Sequence, residues 1–171
     1  EYIRADNPAF DQPEAVLTAL EGGADAALFA SGMAAATCAF LALTAGDHVI
    51  VPKVMYWGLR KWLTEWSPSV DLVDMRDLDA LRRAMRPNTR LVWIETPSNP
   101  TWEVTDIAAV AEIAHAGGAM VAADSTCSTP VVTRPFEHGA DMVMRSAAKY
   151  VIGQSDLIAG EPVTKEKTAF W

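Results

Sequence analysis

Met142-Val-Met-Arg-Ser-Ala-Ala-Lys149-Tyr150 decides the reading of this chain. A short apolar run of this kind is a buried strand, and small residues with a single lysine follow at once. A lysine at a strand exit in apolar surroundings loses hydration, so its pKa can fall toward neutrality. It is then a nucleophilic amine able to form a Schiff base. A lone lysine is ordinarily a solvated surface group. The balance shifts because a second apolar run, Met120-Val-Ala-Ala-Asp124, ends in an aspartate 25 residues earlier. A lysine for a Schiff base and an aspartate for a pyridinium nitrogen are the two protein groups that pyridoxal phosphate needs.

Around these two strands the chain alternates strand and helix patterns. Tyr2 to Phe10 has no period and reads as an arm. Asp11 or Gln12 caps a helix with Pro13 in its first turn, closed by Gly22-Gly23. Ala26 to Ala30 is a short buried strand, and Ser31-Gly32-Met33 opens an apolar helix to about Leu43. Further strands fall at 48–51, 70–73 and 91–94. Asp77 and Asp106 cap helices from Leu78 to about Met85 and from Ile107 to His115, the second ended by Gly117-Gly118. A helix spaced Trp57, Leu59, Trp62, Leu63, Trp66 stops at Pro68, its tryptophans suiting a core or subunit interface better than a binding box. Near-continuous apolar strands between helices mean a mostly parallel sheet with helices on both faces. With no repeat and no linker before Gly160, residues 11–171 form one α/β domain behind an arm of residues 1–10.

Of the 171 residues, half are hydrophobic and about a fifth charged, enough for a real core. The net charge of −8 disfavours nucleic acid or an anionic membrane as partner, and no apolar run reaches the ~18 residues of a membrane span. Cys38 and Cys127 give no disulfide framework and fit a reducing, cytoplasmic compartment, Cys38 reading as core. No metal site is assigned. Starting at Glu1 without a methionine or a signal-like segment, the chain reads as a piece of something longer.

In open α/β sheets ligands sit off the carboxyl ends of the strands. That gathers Ser31-Gly32-Met33, the loop after Glu95, Asp124 and the 146–149 segment on one rim. Gly32 and Met33 present free amides at a helix N-terminus, a ready anion seat, although Ser-Gly alone is only a good cap. No Gly-x-Gly-x-x-Gly or Walker lysine is present, so a nucleotide is the weaker reading.

The chain also resembles the pyridoxal-phosphate enzymes of cysteine and methionine metabolism: cystathionine γ-synthase, cystathionine β- and γ-lyase, and O-acetylhomoserine sulfhydrylase. The resemblance rests on Tyr2-Ile-Arg4 with Asn7-Pro8, Leu20-Glu-Gly-Gly23, Phe29-Ala-Ser-Gly-Met-Ala-Ala35 and Gly46-Asp-His-Val49. It continues through Tyr56, Glu95-Thr-Pro-Ser-Asn-Pro100, Ala123-Asp-Ser-Thr126 and Ser146-Ala-Ala-Lys-Tyr150, with Ser155-Asp156 beyond. These run in family order over nearly the whole chain.

The resemblance implies a fold-type-I, aspartate-aminotransferase-like large domain that binds pyridoxal phosphate. Lys149 matches the Schiff-base lysine, Asp124 the partner of the pyridine nitrogen, and Tyr56 the tyrosine that stacks on the ring and assists proton transfer. Ser31, Gly32, Met33 and Ser146 match the phosphate seat, Asn99 lies near the ring hydroxyl, and Thr126 packs beside the ring. Tyr2 and Arg4 match a pair that reaches the phosphate of a neighbouring subunit, which implies a homo-oligomer, a dimer or tetramer. Glu95 is read as a supporting carboxylate.

Some residues depart from the family pattern. Ala148 replaces the usual threonine, a further phosphate ligand; Arg145 stands where histidine is common; Gln154 replaces the histidine of Gly-His-Ser-Asp. Gly58 stands where methionine γ-lyases carry a cysteine. The family's arginine for the substrate carboxylate lies in a C-terminal domain beyond Trp171, leaving only Arg145 and Arg134 near enough in sequence to substitute. The implied function is β- or γ-elimination or γ-replacement on cystathionine, O-acyl-homoserine or a related small amino acid. Two alternatives stand beside it: a non-catalytic homologue or fragment that binds the cofactor or oligomerises without efficient turnover, and another fold-type-I enzyme such as an aminotransferase.

Overall fold

The computed structural model describes residues 7–66 and 69–171, the side chain of Trp66 excepted. Its elements are α1 (Pro8–Glu21), β1 (Asp25–Ala26), α2 (Gly32–Leu41), β2 (His48–Pro52), α3 (Trp57–Trp66), β3 (Val70–Val73) and α4 (Leu78–Ala84), then β4 (Thr89–Glu95), α5 (Ile107–Ala116), β5 (Met120–Asp124), α6 (Thr129–Val132), β6 (Met142–Arg145) and β7 (Glu161–Thr164). The strands form one sheet in the order β1-β7-β6-β5-β4-β2-β3. From β6 to β3 neighbours are parallel, and β7 runs antiparallel to both β6 and β1. This is the α/β architecture that the alternation predicts.

Side chains alternate across a strand, and here both faces are apolar because both are covered. Ile50, Val92, Ile94, Val121, Ala123 and Val143 pack on one side with Leu81 of α4 and Val110 and Ala114 of α5. Val49, Val51, Leu91, Trp93, Ala122, Met142 and Met144 pack on the other with Ala35, Ala36, Ala39 and Phe40 of α2 and Leu59 and Leu63 of α3. The helices begin where short polar side chains stop them. Ser31, Asp77 and Asp106 each accept a backbone N–H from their own first turns.

Four local expectations change. The first helix starts at Pro8, with Asn7 rather than Asp11 or Gln12 as its cap, so Pro13 lies inside it and residues 8–10 are helical rather than part of an arm. Pro8 takes the first position, where a missing N–H costs nothing. The strand expected over 26–30 shrinks to Asp25–Ala26 with one bridge from Phe29 to Gly160. Cys38 is exposed on α2, not core. Trp57 is also exposed, while Trp62 packs against Phe40 with ring centroids 6.2 Å apart. No helix among the described residues is long and apolar enough to cross a membrane.

Candidate active site

The sheet parity places Glu95 and Asp124 on the face covered by α2 and α3, at the carboxyl ends of neighbouring strands, where the two residues are direct register partners. Off that edge lies a cavity of about 230 Å³. Ser31, Gly32, Met33, Tyr56, Asn99, Asp124, Thr126, Ser146 and Lys149 all line it, coming from five separate stretches of sequence. Tyr2 and Arg4 lie outside the described residues.

Helix α2 points its N-terminus at the cavity. Ser31 takes up two first-turn amides, with its Oγ accepting from Ala34 at 3.1 Å and its carbonyl from Ala35 at 3.0 Å. The amides of Gly32 and Met33 have no partner inside the helix. Gly32 is needed for close approach. A Cβ there would lie 2.5 Å from both Cβ and Oγ of Ser146, filling the seat between α2 and the 146–149 turn. On that turn, Lys149 Nζ donates to Ser146 Oγ at 2.9 Å, and the Ser146 amide donates to Thr126 Oγ1 at 2.8 Å. Lys149, Ser146, Thr126 and Asp124 therefore form one hydrogen-bonded chain.

Asp124 is buried and accepts from the Thr126 amide at 3.0 Å and from Thr126 Oγ1 at 2.6 Å, both at Oδ1. Burial pushes its carboxyl up from the ordinary range, while the Thr126 donors and the positive charges of Arg145 and Lys149 pull it down. Glu95, beside it, is pushed up to about 7 by burial and by the Asp124 charge. Two buried carboxyl groups side by side leave this wall short of positive charge. A cationic ring nitrogen facing Asp124 would supply it, and a phosphate at the α2 N-terminus would meet the free amides. The residues fit pyridoxal phosphate.

Other positions carry less than their sequence places suggest. Ala148 lines the cavity without a hydroxyl, and its amide is spent on the Ala159 carbonyl at 3.0 Å. Arg145 cannot substitute for a carboxylate-binding arginine. It belongs to the opposite parity from Met142 and Met144 and is 1% exposed, bonded to Glu21 and to the Ser125 and Thr133 carbonyls. Arg134 is exposed beside Glu137 at 3.7 Å and does not line the cavity. The sequence reading also passed over Leu59, Cys127, Met144 and Ile158 as lining residues. Leu59 and Met144 were legible from helix and strand parity, whereas Cys127 and Ile158 sit on loops without a periodic signal. No cluster of three or more His, Cys, Asp or Glu among the described residues is placed to hold a metal.

Comparison with known proteins points to the same cofactor. The family model for Cys/Met metabolism PLP-dependent enzymes matches residues 1–170. The cystathionine gamma-synthase of Mycobacterium tuberculosis is 42% identical over 172 residues, covering 98% of this chain and 44% of its own length. The L-methionine gamma-lyase of Porphyromonas gingivalis is 44% identical over 171 residues, covering 96% of this chain and 43% of its own. A solved cystathionine gamma-lyase from Lactobacillus plantarum, complexed with L-serine, superposes with a TM-score of 0.93 at 39% identity. That match covers 97% of this chain and 45% of the other. The chain thus spans about half the length of the relatives it matches.

Proposed function

Because this chain belongs to the Cys/Met metabolism PLP-dependent enzyme family, we propose that it is the cofactor-binding part of an enzyme eliminating or replacing a β- or γ-substituent of an amino acid. Cystathionine and O-acyl-homoserine are the substrates that this reading favours. One observation carries it: Lys149, the buried Asp124 and the N-terminus of α2 line a single cavity.

Pyridoxal phosphate, when bound, supplies an electron-accepting ring. This chain's residues do the rest. The amides of Gly32 and Met33, with the Ser31 turn and Ser146, hold the phosphate. Asp124 keeps a proton on the ring nitrogen, and the two Thr126 hydrogen bonds keep its carboxylate in place. Tyr56 and Asn99 line the cavity, where Tyr56 would cover the ring and assist proton transfer and Asn99 would serve the ring hydroxyl. Lys149 would attach the cofactor through its amine, and as a free amine its Nζ would take the substrate's α-proton. The family resemblance would have Tyr2 and Arg4, which lie outside the described residues, serve the phosphate of a second copy, in a homodimer or homotetramer. A cytoplasmic setting suits the free thiols of Cys38 and Cys127.

One observation favours the reading without efficient turnover: Ala148 offers the phosphate no hydroxyl. Supplying cystathionine and pyridoxal phosphate to the purified protein separates the readings. Thiol and 2-oxo acid should be released in proportion to bound cofactor, near ~10 per second from the whole enzyme and orders of magnitude more slowly from these 171 residues alone. Full cofactor occupancy without product would favour the non-catalytic homologue. Amino-group transfer to a 2-oxo acid without thiol release would favour an aminotransferase.

A further inference from the structure

The Glu95 carboxylate joins two sides of the cavity. Its Oε2 accepts the Tyr56 amide at 2.6 Å and its Oε1 accepts the Asn99 amide at 2.8 Å. Tyr56 precedes α3 and Asn99 lies in the loop after β4, so one side chain anchors two separate segments that both line the cavity. Apart from the Trp57 ring, 6.0 Å away between centroids, little else fixes the Tyr56 ring. It is 41% exposed, and Gly58 leaves it the room it occupies, since a Cβ there would stand 2.8 Å from Tyr56 Cε1.

We propose that Glu95 is the positioning residue of this site: as a carboxylate it clamps Tyr56 and Asn99 around the cofactor, and protonation loosens the clamp. The proposal rests on the reading of the cavity as a pyridoxal-phosphate site. Both oxygens of Glu95 face N–H donors. A carboxylate offers both donors a charged acceptor, whereas a carboxylic acid turns one oxygen into a hydroxyl, a weaker and uncharged acceptor, so the amide facing it is held less tightly.

The surroundings make that protonation accessible. Burial, with the like charge of Asp124 on β5 added to it, pushes the Glu95 carboxyl up to about 7 against the pull of the Asn99 and Tyr56 amides. Lys149 and Cys127 line the same cavity. On the far side of Glu95 a smaller cavity brings Lys53 and Arg76 near, the latter ion-paired to Asp74 at 2.9 Å and Glu103 at 3.4 Å. The clamp is therefore closed at pH 8 and loosens as pH falls through about 7.

The test uses pyridoxine 5′-phosphate, which has no aldehyde, so that Lys149 chemistry does not enter. Its affinity for wild type and for Glu95→Gln is measured from pH 5.5 to 8.5. The ligand's own titrations are common to both proteins, so the difference between the curves isolates Glu95. At pH 8 the Gln variant should bind about tenfold or more weakly, having lost one acceptor. That gap should narrow toward pH 6, as wild type weakens the same contact. In parallel, the Tyr56 and Asn99 amide resonances of wild type should titrate together with one midpoint near 7, a readout that needs no folded variant. Parallel affinity curves, or amides that stay still or move at separate midpoints, overturn the clamp while leaving the cofactor reading intact. Absence of any binding to wild type overturns both.

Discussion

Asp124→Asn should slow removal of the substrate α-proton by roughly 10²–10³-fold, the usual cost of losing one preorganised electrostatic group. Asp124 is buried at the end of β5, held at Oδ1 by both donors of Thr126, and joined through Thr126 and Ser146 to Lys149. Asparagine keeps the shape and one acceptor but carries no charge. It cannot hold a proton on a ring nitrogen, so the ring loses its capacity to take up negative charge. Cofactor affinity should fall far less, because the phosphate seat at Gly32, Met33 and Ser146 is untouched. Comparing α-proton exchange from substrate at matched cofactor occupancy measures the effect. Equal exchange rates in both proteins would remove Asp124 from the chemistry.

Arg145→Met should destabilise the protein by about 3–5 kcal/mol, as expected when one member of a buried ion pair is removed. For a chain of this size that corresponds to a drop in Tm of roughly 6–20 °C. Arg145 is buried between Glu21 of α1 and the Ser125 and Thr133 carbonyls. Its register partner Glu161 is equally buried, and neither of that carboxyl's oxygens has a hydrogen-bond partner among the described residues. Removing the guanidinium leaves Glu21 without its counter-charge and frees the carbonyl that follows Asp124. Glu161 adds a pH signature. Burial raises its carboxyl to about 7, above the ~4.3 of an exposed glutamate, so the folded state binds the proton more tightly than the unfolded chain. That contribution is fully present below pH ~4.3 and is lost as pH rises through about 7. Glu161→Gln should remove the Glu161 share of this decline and leave the share of Glu95, which lies in the same range. Thermal melts across pH 4–8 measure both effects, and an Arg145→Met protein melting with wild type would contradict the assignment of this cluster.

The parts of the fold legible in the sequence are those governed by local rules. Capping at Ser31, Asp77 and Asp106 depends on side chains within three residues of the amides they serve. Continuous apolar runs mark doubly covered strands, and β2, β4, β5 and β6 follow them. Strand β7 escaped because Glu161 and Pro162 argue against a strand interior. It is stabilised by pairing with β1 and β6, partners more than 15 residues distant. The start of α1 escaped because two prolines, Pro8 and Pro13, compete for the first-turn position, and Asn7 settles it through its bond to the Ala9 amide.

The site divides in the same way. Residues at strand exits and at a helix N-terminus converge by topology, so Lys149, Asp124, Ser146 and the Gly32–Met33 turn could be grouped before any coordinates. The role of Glu95 could not. It depends on the β4–β5 register that sets Glu95 beside Asp124, and on two loops folding back onto one carboxylate. The direction of Arg145 lay within reach, since alternation along Met142 to Arg145 already turns it away from the cavity.

Borohydride reduction of the cofactor-loaded protein, followed by peptide mapping, tests the central claim most directly. The account predicts a visible absorption band that bleaches on reduction and a permanent pyridoxyl adduct on Lys149 alone. An adduct on Lys53, Lys61, Lys165 or Lys167 instead, or a protein that takes up no cofactor, would contradict it.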